Sequence, residues 1–379
     1  MRQANGYILK RICDVPYILP YGQNIADFRR GVRINETGVF LWNNLAVPIS
    51  KDALFLRFVK HFDASEAELP VLSKDFSAFL STLTSLGMID MAENLWLSIG
   101  GLILCITGDP ALLLNDFRAF QIDPSPDQQA DLAITLSLSK DMPSAWHSGS
   151  VVLSTSELIL RETDDSYLFD FQTMTELTGG ILSKDGKTAT LYYLPLHTAL
   201  QTEQIFHALR FLFLYRAEYS GIYAIHSASI LYRGKAWLFS GPSGTGKSTH
   251  TALWKKLYDI PVLNGDLNLI TISGGKPMVY GLPWCGTSGI SSTETYPLGG
   301  IIFLRQWQKD HVTALSPDEQ ALHILHRLIS PIWDEAQLTQ CLAFSERLSA
   351  LCYATEFFCT KNDSAAQTIK LAIDKRLNK

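Results

Sequence analysis

The clearest chemistry in the chain is carried by nine consecutive residues, Gly241-Pro242-Ser243-Gly244-Thr245-Gly246-Lys247-Ser248-Thr249. They fit G-x-x-x-x-G-K-[ST], a pattern whose backbone amides cradle phosphates. The apolar run Lys235–Ser240 before the loop reads as a short strand, and Thr249–Leu257 after it reads as a helix. Free N–H groups of the loop and the positive end of the helix then converge on one anion site. Gly241, Ser243, Gly244, Thr245, Gly246 and Thr249 are expected to line the phosphates. Lys247 would reach the β- and γ-phosphates, and the Ser248 hydroxyl would ligate Mg²⁺. A nucleoside triphosphate is the expected ligand; a ligand-free glycine turn is the competing reading, and the flanking strand and helix argue against it. Asp266 ends the apolar run Ile260–Leu263 and is expected at a strand's C-terminal edge beside the phosphates. The alternative for Asp266 is a simple turn former.

The elements that must position these residues can be read outward from the loop. Tyr223–Tyr232 and Lys235–Phe239 alternate as strands joined by Arg233-Gly234, a hairpin that feeds the loop. Before it, residues 202–219 (Ile205, Phe206, Leu209, Leu212, Phe213) predict an apolar helix buried on the sheet. Residues 91–204 are strand-rich, with strands expected at 102–107, 133–138, 151–154, 157–161 and 188–194, forming an antiparallel sheet against the core. Residues 1–90 read as a separate module. It has two short strands around a turn at Asp14-Val15-Pro16, a helix capped by Asn35 with Val39, Phe40, Trp42 and Leu45 on its apolar face, and helices over 51–62 and 70–86. Toward the C-terminus, helices over 335–351 and 364–376 flank a strand at 356–359.

Composition narrows the classes. With 379 residues the chain has room for two or three domains, and at 47% hydrophobic and 18% charged it can build ordinary cores. A net charge of −5 argues against nucleic acid as partner. The six scattered cysteines contain no C-x-x-C pair, which points to reduced thiols and gives zinc no support. The most apolar run, 95–106, is broken by Gly100-Gly101 and is short of a membrane span. With no signal-peptide pattern at residues 1–6, a cytoplasmic location is expected.

His226-Ser227-Ala228, the hairpin, the glycine loop and Leu263-Asn264-Gly265-Asp266-Leu267 follow one another in the order found in the HPr serine kinase family, which this part of the chain resembles. Tyr280–Gly286 and Pro297–Leu304 also look like these kinases, whose relatives include tailoring kinases of ribosomal peptide clusters; phosphoenolpyruvate carboxykinase shares the broader fold. The resemblance covers about 205–370. It implies ATP with Mg²⁺, and a metal held by Ser248 and Asp266. In the family the position of Asp266 belongs to an Asp-Asp pair that also accepts the proton of the attacking hydroxyl; here the first partner is Gly265, so one carboxylate would do the work of two. His226 aligns with the family's hairpin histidine, implying a hydrogen bond to Asp266 or a phosphate that tunes the base; a core histidine is the alternative. Arg305 could neutralise transferring charge or be a surface residue. The loop 284–289 lies where the family's substrate-side loop lies, or is a turn. Cys285 has no sequence-tied partner for a nucleophile role, and His311, His323 and His326 have no metal-site spacing.

Ile34-Asn35-Glu36-Thr37-Gly38, the aromatic helix after it and Phe79-Leu80-x-x-Leu83-x-x-x-Gly87-Met88-Ile89 resemble the PqqD-like family, a winged helix that binds leader peptides. That implies a leader added as a strand beside the small sheet, against the third helix. A packing or dimerisation module is the alternative; a DNA-binding one lacks a basic helix stripe. The expected fold is thus α/β: 1–90 a winged-helix PqqD-like domain, 91–204 a strand-rich subdomain, and 205–379 a P-loop HPr kinase/phosphoenolpyruvate carboxykinase-like core with a mixed sheet. The expected activity is ATP-dependent phosphorylation of a serine or threonine in a ribosomally made precursor peptide. A small-molecule kinase or carboxykinase-like enzyme and a non-catalytic ATP-gated peptide-binding protein are the alternatives. Homo-oligomerisation, the precursor and ATP against GTP stay open in the sequence.

Overall fold

The computed structural model describes residues 1–46, 49, 51–65, 68–90, 93–194, 196 and 198–378. The chain divides into two compact units, 1–94 with 107–112, and 95–106 with 113–379. No division falls at 204/205, so the strand-rich segment and the segment carrying the loop share one unit. Both large sheets are mixed, and the architecture is α/β.

The first unit contains β1 (Arg2–Gln3), β2 (Tyr7–Ile12), β3 (Val15–Pro20), α1 (Gln23–Ala26), β4 (Val32–Arg33), α2 (Glu36–Asn44), α3 (Lys51–His61), α4 (Leu69–Ser85) and β5 (Ile89–Asp90). The hairpin turn sits at Cys13-Asp14, both at positive φ (48° and 64°), and Val15 already belongs to β3; the expected turn one residue later is displaced because two left-handed residues close a two-residue hairpin. Asn35 caps α2, its side chain accepting from the Gly38 amide at 2.8 Å. The buried face of α2 runs Gly38, Leu41, Trp42, with Leu45 just past its end, so Leu41 replaces the expected Val39 and Phe40, which are half-buried. Phe58, Phe76, Leu80 and Leu83 complete this core.

In the second unit, a sheet in the order β6-β7-β8-β13-β12-β11-β10-β9 is made of β6 (Glu93–Ile99), whose first two residues belong to the first unit, β7 (Leu102–Gly108), whose last two residues do, β8 (Leu132–Leu138), β9 (Ser150–Ser154), β10 (Leu158–Glu162), β11 (Ser166–Phe171), β12 (Leu177–Ser183) and β13 (Thr188–Tyr193). It is not wholly antiparallel as expected: β8 and β13 run parallel, because the intervening strands return β13 to the sheet from the far side. α5 (Ala199–Tyr219), capped by Thr198, covers it. Two glutamines buried on α5 pin the helix to the turns below: Gln204 accepts from the Glu176 amide at 2.9 Å, and Gln201 donates to the Leu194 carbonyl at 2.6 Å.

The remaining elements are β14 (Ile222–Tyr232), β15 (Lys235–Ser240), α6 (Lys247–Tyr258), β16 (Val262–Asn264), β17 (Leu267–Ser273), β18 (Lys276–Tyr280), β19 (Tyr296–Gln306), β20 (His311–Ala314), α7 (Pro317–Leu325), α8 (Glu335–Leu351), β21 (Tyr353–Cys359) and α9 (Asp363–Leu377). β14 and β15 form the hairpin, closed by Arg233 and Gly234 at φ 51° and 70°. β15 also runs parallel to β19, and β19 parallel to β21. Gly299 and Gly300 lie inside β19 because the Trp237 ring packs against them: a Cβ at 299 would come within 2.5 Å of Trp237 Cε2. Apolar cores cover both faces of this sheet, with Ile225, Leu238 and Ile301 in one and Trp237, Phe239, Trp254 and Ile369 in the other.

Candidate active site

The C-terminal ends of β15, β19 and β21 open on one side of the sheet, the place where ligands collect in open α/β sheets. β15 ends at Ser240, whose hydroxyl donates to the His226 carbonyl at 2.7 Å, and the glycine loop starts there. Gly244 and Gly246 take φ of 79° and 104°, a region that costs other residues strain, so the loop needs glycine at both. Gly246 is the N-cap of α6 and offers no side-chain cap, which leaves the first amides of the helix as open donors. Ser243 and Gly244 are exposed, as are Ser248 and Thr249 in the first turn of α6, while Thr245 is half-buried and donates to the Pro242 carbonyl at 2.7 Å. Lys247 is buried. Its ammonium donates to the Gly241 carbonyl at 3.2 Å, with the Pro242 carbonyl at 3.5 Å. Burial pulls its pKa down, the charge of Asp266 opposes this, and the charge of Arg327 adds to it.

Asp266 lies in the turn between β16 and β17, and its Oδ1 stands 3.1 Å from His226 Nε2 on β14. That hydrogen bond is the main reason the carboxyl sits below its ordinary range; burial opposes, and Lys247 and Arg210 assist. Asp266 Oδ2 has no hydrogen bond among the described residues. Gly286 (φ 65°) packs on it, since a Cβ there would meet Asp266 Cβ at 2.9 Å. The 284–289 segment is anchored by Trp284, which is buried between Phe206 and Phe213 and donates to the Phe206 carbonyl at 2.7 Å. Cys285 is buried, and burial pushes its thiol pKa up, which argues against a nucleophile.

Gly265 is fixed by packing. A Cβ at this position would overlap the Ser288 hydroxyl, so a second acid beside Asp266 requires the 286–288 turn to move. Behind Asp266 lies a buried polar network. Asn268 accepts from Ser229 Oγ and Asn264 Nδ2, both at 2.7 Å, and donates to the Ser227 carbonyl (2.7 Å) and hydroxyl (2.9 Å). All four residues are buried. The Ser227 amide in turn bonds the Asp266 carbonyl at 2.9 Å, which ties the network to the acid.

Sequence reasoning missed this network as well as Arg210 and Arg327. Alternating Ser227 and Ser229 on one strand, and Asn264 and Asn268 on either side of Asp266, were its visible signal. Arg210 (α5) and Arg327 (just past α7) lie far from the loop in sequence, and nothing local marks them. Arg305 pairs with Glu356 at 3.3 Å. His323 packs on Phe303, and His326 caps α7; both line a cavity of about 390 Å³ beside the loop. His311 lies away from it, stacked on Phe358.

Among the described residues no cluster of three or more His, Cys, Asp and Glu could hold a metal ion. Two oxygens, the Ser248 hydroxyl and the Asp266 carboxylate, would be too few for an all-protein cage; Mg²⁺, which draws its remaining ligands from phosphates and water, is the ion such a pair would fit. No helix among the described residues is long and apolar enough to cross a membrane. No family model and no curated protein matches this chain.

Proposed function

We propose that the chain is an ATP-dependent kinase of the HPr serine kinase-like type. In this reading it phosphorylates a hydroxyl of a ribosomally made precursor peptide whose leader is gripped by the first unit. The observation that carries the reading is the meeting of three groups: a buried Lys247 inside a glycine loop, Asp266 in the β16–β17 turn whose charge acts on that lysine, and His226 of β14 at 3.1 Å from Asp266. Phosphoryl transfer asks mainly for positioning and charge neutralisation, and these residues offer both. On nucleotide binding Lys247 would leave the loop carbonyls for phosphate oxygens. His226 would hold Asp266 through Oδ1, so that Oδ2 faces the acceptor hydroxyl and takes its proton. Mg²⁺ on Ser248 and Asp266 would supply the remaining neutralisation of the phosphates.

For the first unit, support comes from a cavity of about 660 Å³ bordered by Val15 and Pro16 of β3, Val32 and Arg33 of β4, and Phe79 and Leu83 of α4. An extended leader laid there would bond through its backbone and be selected through alternate side chains. A tether of this kind raises the local concentration of the substrate to roughly millimolar, so the active site itself need not bind tightly.

One observation favours a second reading, a non-catalytic ATP-gated peptide carrier: the space of a second acid at 265 is taken by Ser288. Incubation with γ-labelled ATP and a precursor peptide encoded beside the gene separates the two. Label on the peptide, lost when the leader is removed, is expected. Peptide binding without label would favour the carrier, and label on a small acceptor would favour a metabolite kinase.

A further inference from the structure

One stripe of α5, residues 207, 210, 211 and 214, borders a cavity of about 280 Å³. The spacing i, i+3, i+4, i+7 puts these side chains on one face of the helix. Other walls come from Phe171 at the end of β11 and from Ile329–Pro331. Both sides are tied to the candidate site. The His226 amide donates to the Arg327 carbonyl at 2.9 Å, the Ile329 amide donates to the Ala224 carbonyl at 2.8 Å, and Leu328 pairs with Ile225 as an antiparallel bridge. Residues 327–329 therefore form an extra rung on β14, and the rung starts at the residue that holds Asp266. On α5, Phe206 and Phe213 lie on either side of Arg210 in sequence and grip Trp284, and with it the turn whose Gly286 packs on Asp266.

Arg210 forms no ion pair and no hydrogen bond among the described residues. Burial pulls its pKa down, so its N–H donors have lost water without gaining an acceptor. None of its nitrogens is among the partnerless atoms sealed from solvent, which leaves the guanidinium open to a ligand. Glu157 also borders the cavity, but it is exposed, and Asp266 is the one acid among the described residues whose charge acts on Arg210. Burial and the charge of Arg210 push the pKa of His207 down, so this ring adds no charge at neutral pH.

A half-buried guanidinium without an acceptor is costly, and a carboxylate answers it by taking two N–H groups of the fork at once. The apolar walls beside Arg210, Phe211 and Leu214 on α5 with Ile329 and Pro331 across the rung, suit the methylene stem that carries such a carboxylate. No residue of the glycine loop borders this cavity, so phosphates seated on the loop lie elsewhere. We propose that the cavity is an acidic subsite for the acceptor segment: Arg210 pairs with an aspartate or glutamate close to the hydroxyl being phosphorylated, and so sets that hydroxyl against Asp266. Charges that act on each other within roughly a Debye length, about 10 Å, are bridged by about three residues of extended chain, which places the acid within about three positions of the acceptor. The inference rests on the kinase reading and deepens it by naming the chemistry of the sequence around the acceptor.

The test uses the full chain with Mg²⁺, γ-labelled ATP and paired peptides. Each peptide joins the leader of the precursor encoded beside the gene to a glycine-rich core with a single serine. Glutamate or glutamine is placed in turn at each position up to about three residues on either side of that serine. The ratio of kcat/KM between the glutamate and glutamine peptides reads the subsite and is blind to a general loss of activity. The wild-type chain is expected to favour glutamate by about 10- to 100-fold at one position or more, the worth of a charge-assisted pair. Arg210→Met, which keeps the aliphatic stem, should bring that ratio to within about twofold of unity, and Arg210→Lys should keep part of it. A wild-type chain that labels both peptides equally at every position would overturn the subsite, as would a preference that survives Arg210→Met. Label on none of the peptides would overturn the kinase reading, and the subsite with it. Label passing instead to a free hydroxy acid such as glycerate, and lost in Arg210→Met, would assign the carboxylate to a small metabolite and overturn the peptide assignment. Thermal melts of each variant separate a folding defect from a change of preference. If Arg210→Met does not fold, Arg210→Lys carries the test, and an unchanged ratio there would overturn the pairing.

Discussion

The glycine loop and the acidic segment 264–268, which serve one site in the proposed function, are held in opposite ways. The loop projects exposed residues, Pro242 to Gly244, and its own bonds are few and internal: Lys247 and Thr245 to its carbonyls, with Gln306 donating to Gly244 at 2.8 Å. The acidic segment stands on Ser227, Ser229, Asn264 and Asn268, a dry network whose polar groups satisfy one another. In the proposed kinase the difference follows from what each would do. Donors that wrap phosphates must be left open until the ligand arrives, whereas a base works only if it is already aimed. Substitutions in the loop should therefore change chemistry with little effect on folding, and substitutions under Asp266 should do the reverse.

The largest expected effect lies in the loop. Lys247→Ala should lower phosphoryl transfer by about 10³-fold or more, the scale of losing a cation aimed at transferring charge. Its unfolding free energy should stay within about 1 kcal/mol, because the lost bonds are two long ones to the Gly241 and Pro242 carbonyls, and the cost of burying the ammonium and its repulsion with Arg327 go with them. Transfer assays beside urea melts check both halves, and unchanged turnover would remove the loop from the chemistry. Next in size is Asn268→Ala, which strands three partners in the core, and a loss of about 2–4 kcal/mol is expected. The urea midpoint reads it. A cost under about 0.5 kcal/mol would mean that the acidic segment is no firmer than the loop, and the contrast between them would fall.

The same contrast explains what was legible in the sequence. The loop is local: its glycines, Lys247 and the hairpin turn Arg233-Gly234 announce themselves within a few residues. So does the Asn35 cap. Elements that depend on distant packing were hidden. β12 contains Gly179-Gly180, a turn signal by composition, yet the glycines are there because the Phe169 ring and the Thr190 carbonyl press against residue 180, where a Cβ would collide. β11 and β12 were therefore absent from the sequence reading although their flanking turns were visible. Gly265 is similar. As a sequence it reads as a missing acid; in the fold it is the residue that lets the 286–288 turn, and Ser288 with it, close against the segment. Arg210 and Arg327 reach the site only because α5 and the rung on β14 bring them there, and no spacing rule could have found them.

The smallest expected effect sharpens the comparison at the junction of the two regions. His226→Ala removes the imidazole and its hydrogen bond to Asp266. Its hydrogen bond is the chief cause of the depressed carboxyl pKa, so in the variant that pKa should rise toward the ordinary 3.8. The sign follows: a base must be ionised, so the acid limb of the pH–rate profile moves upward. It still lies well below neutrality, and at pH 7 the carboxylate is ionised in both proteins. Any loss at pH 7, expected at about tenfold, must then come from aim and not from protonation. A profile whose neutral plateau is unchanged while the acid limb moves would show His226 acting through charge alone. A lowered plateau with the limb shifted upward would show that the histidine positions the acid, which is the part the buried network is built to play from the other side.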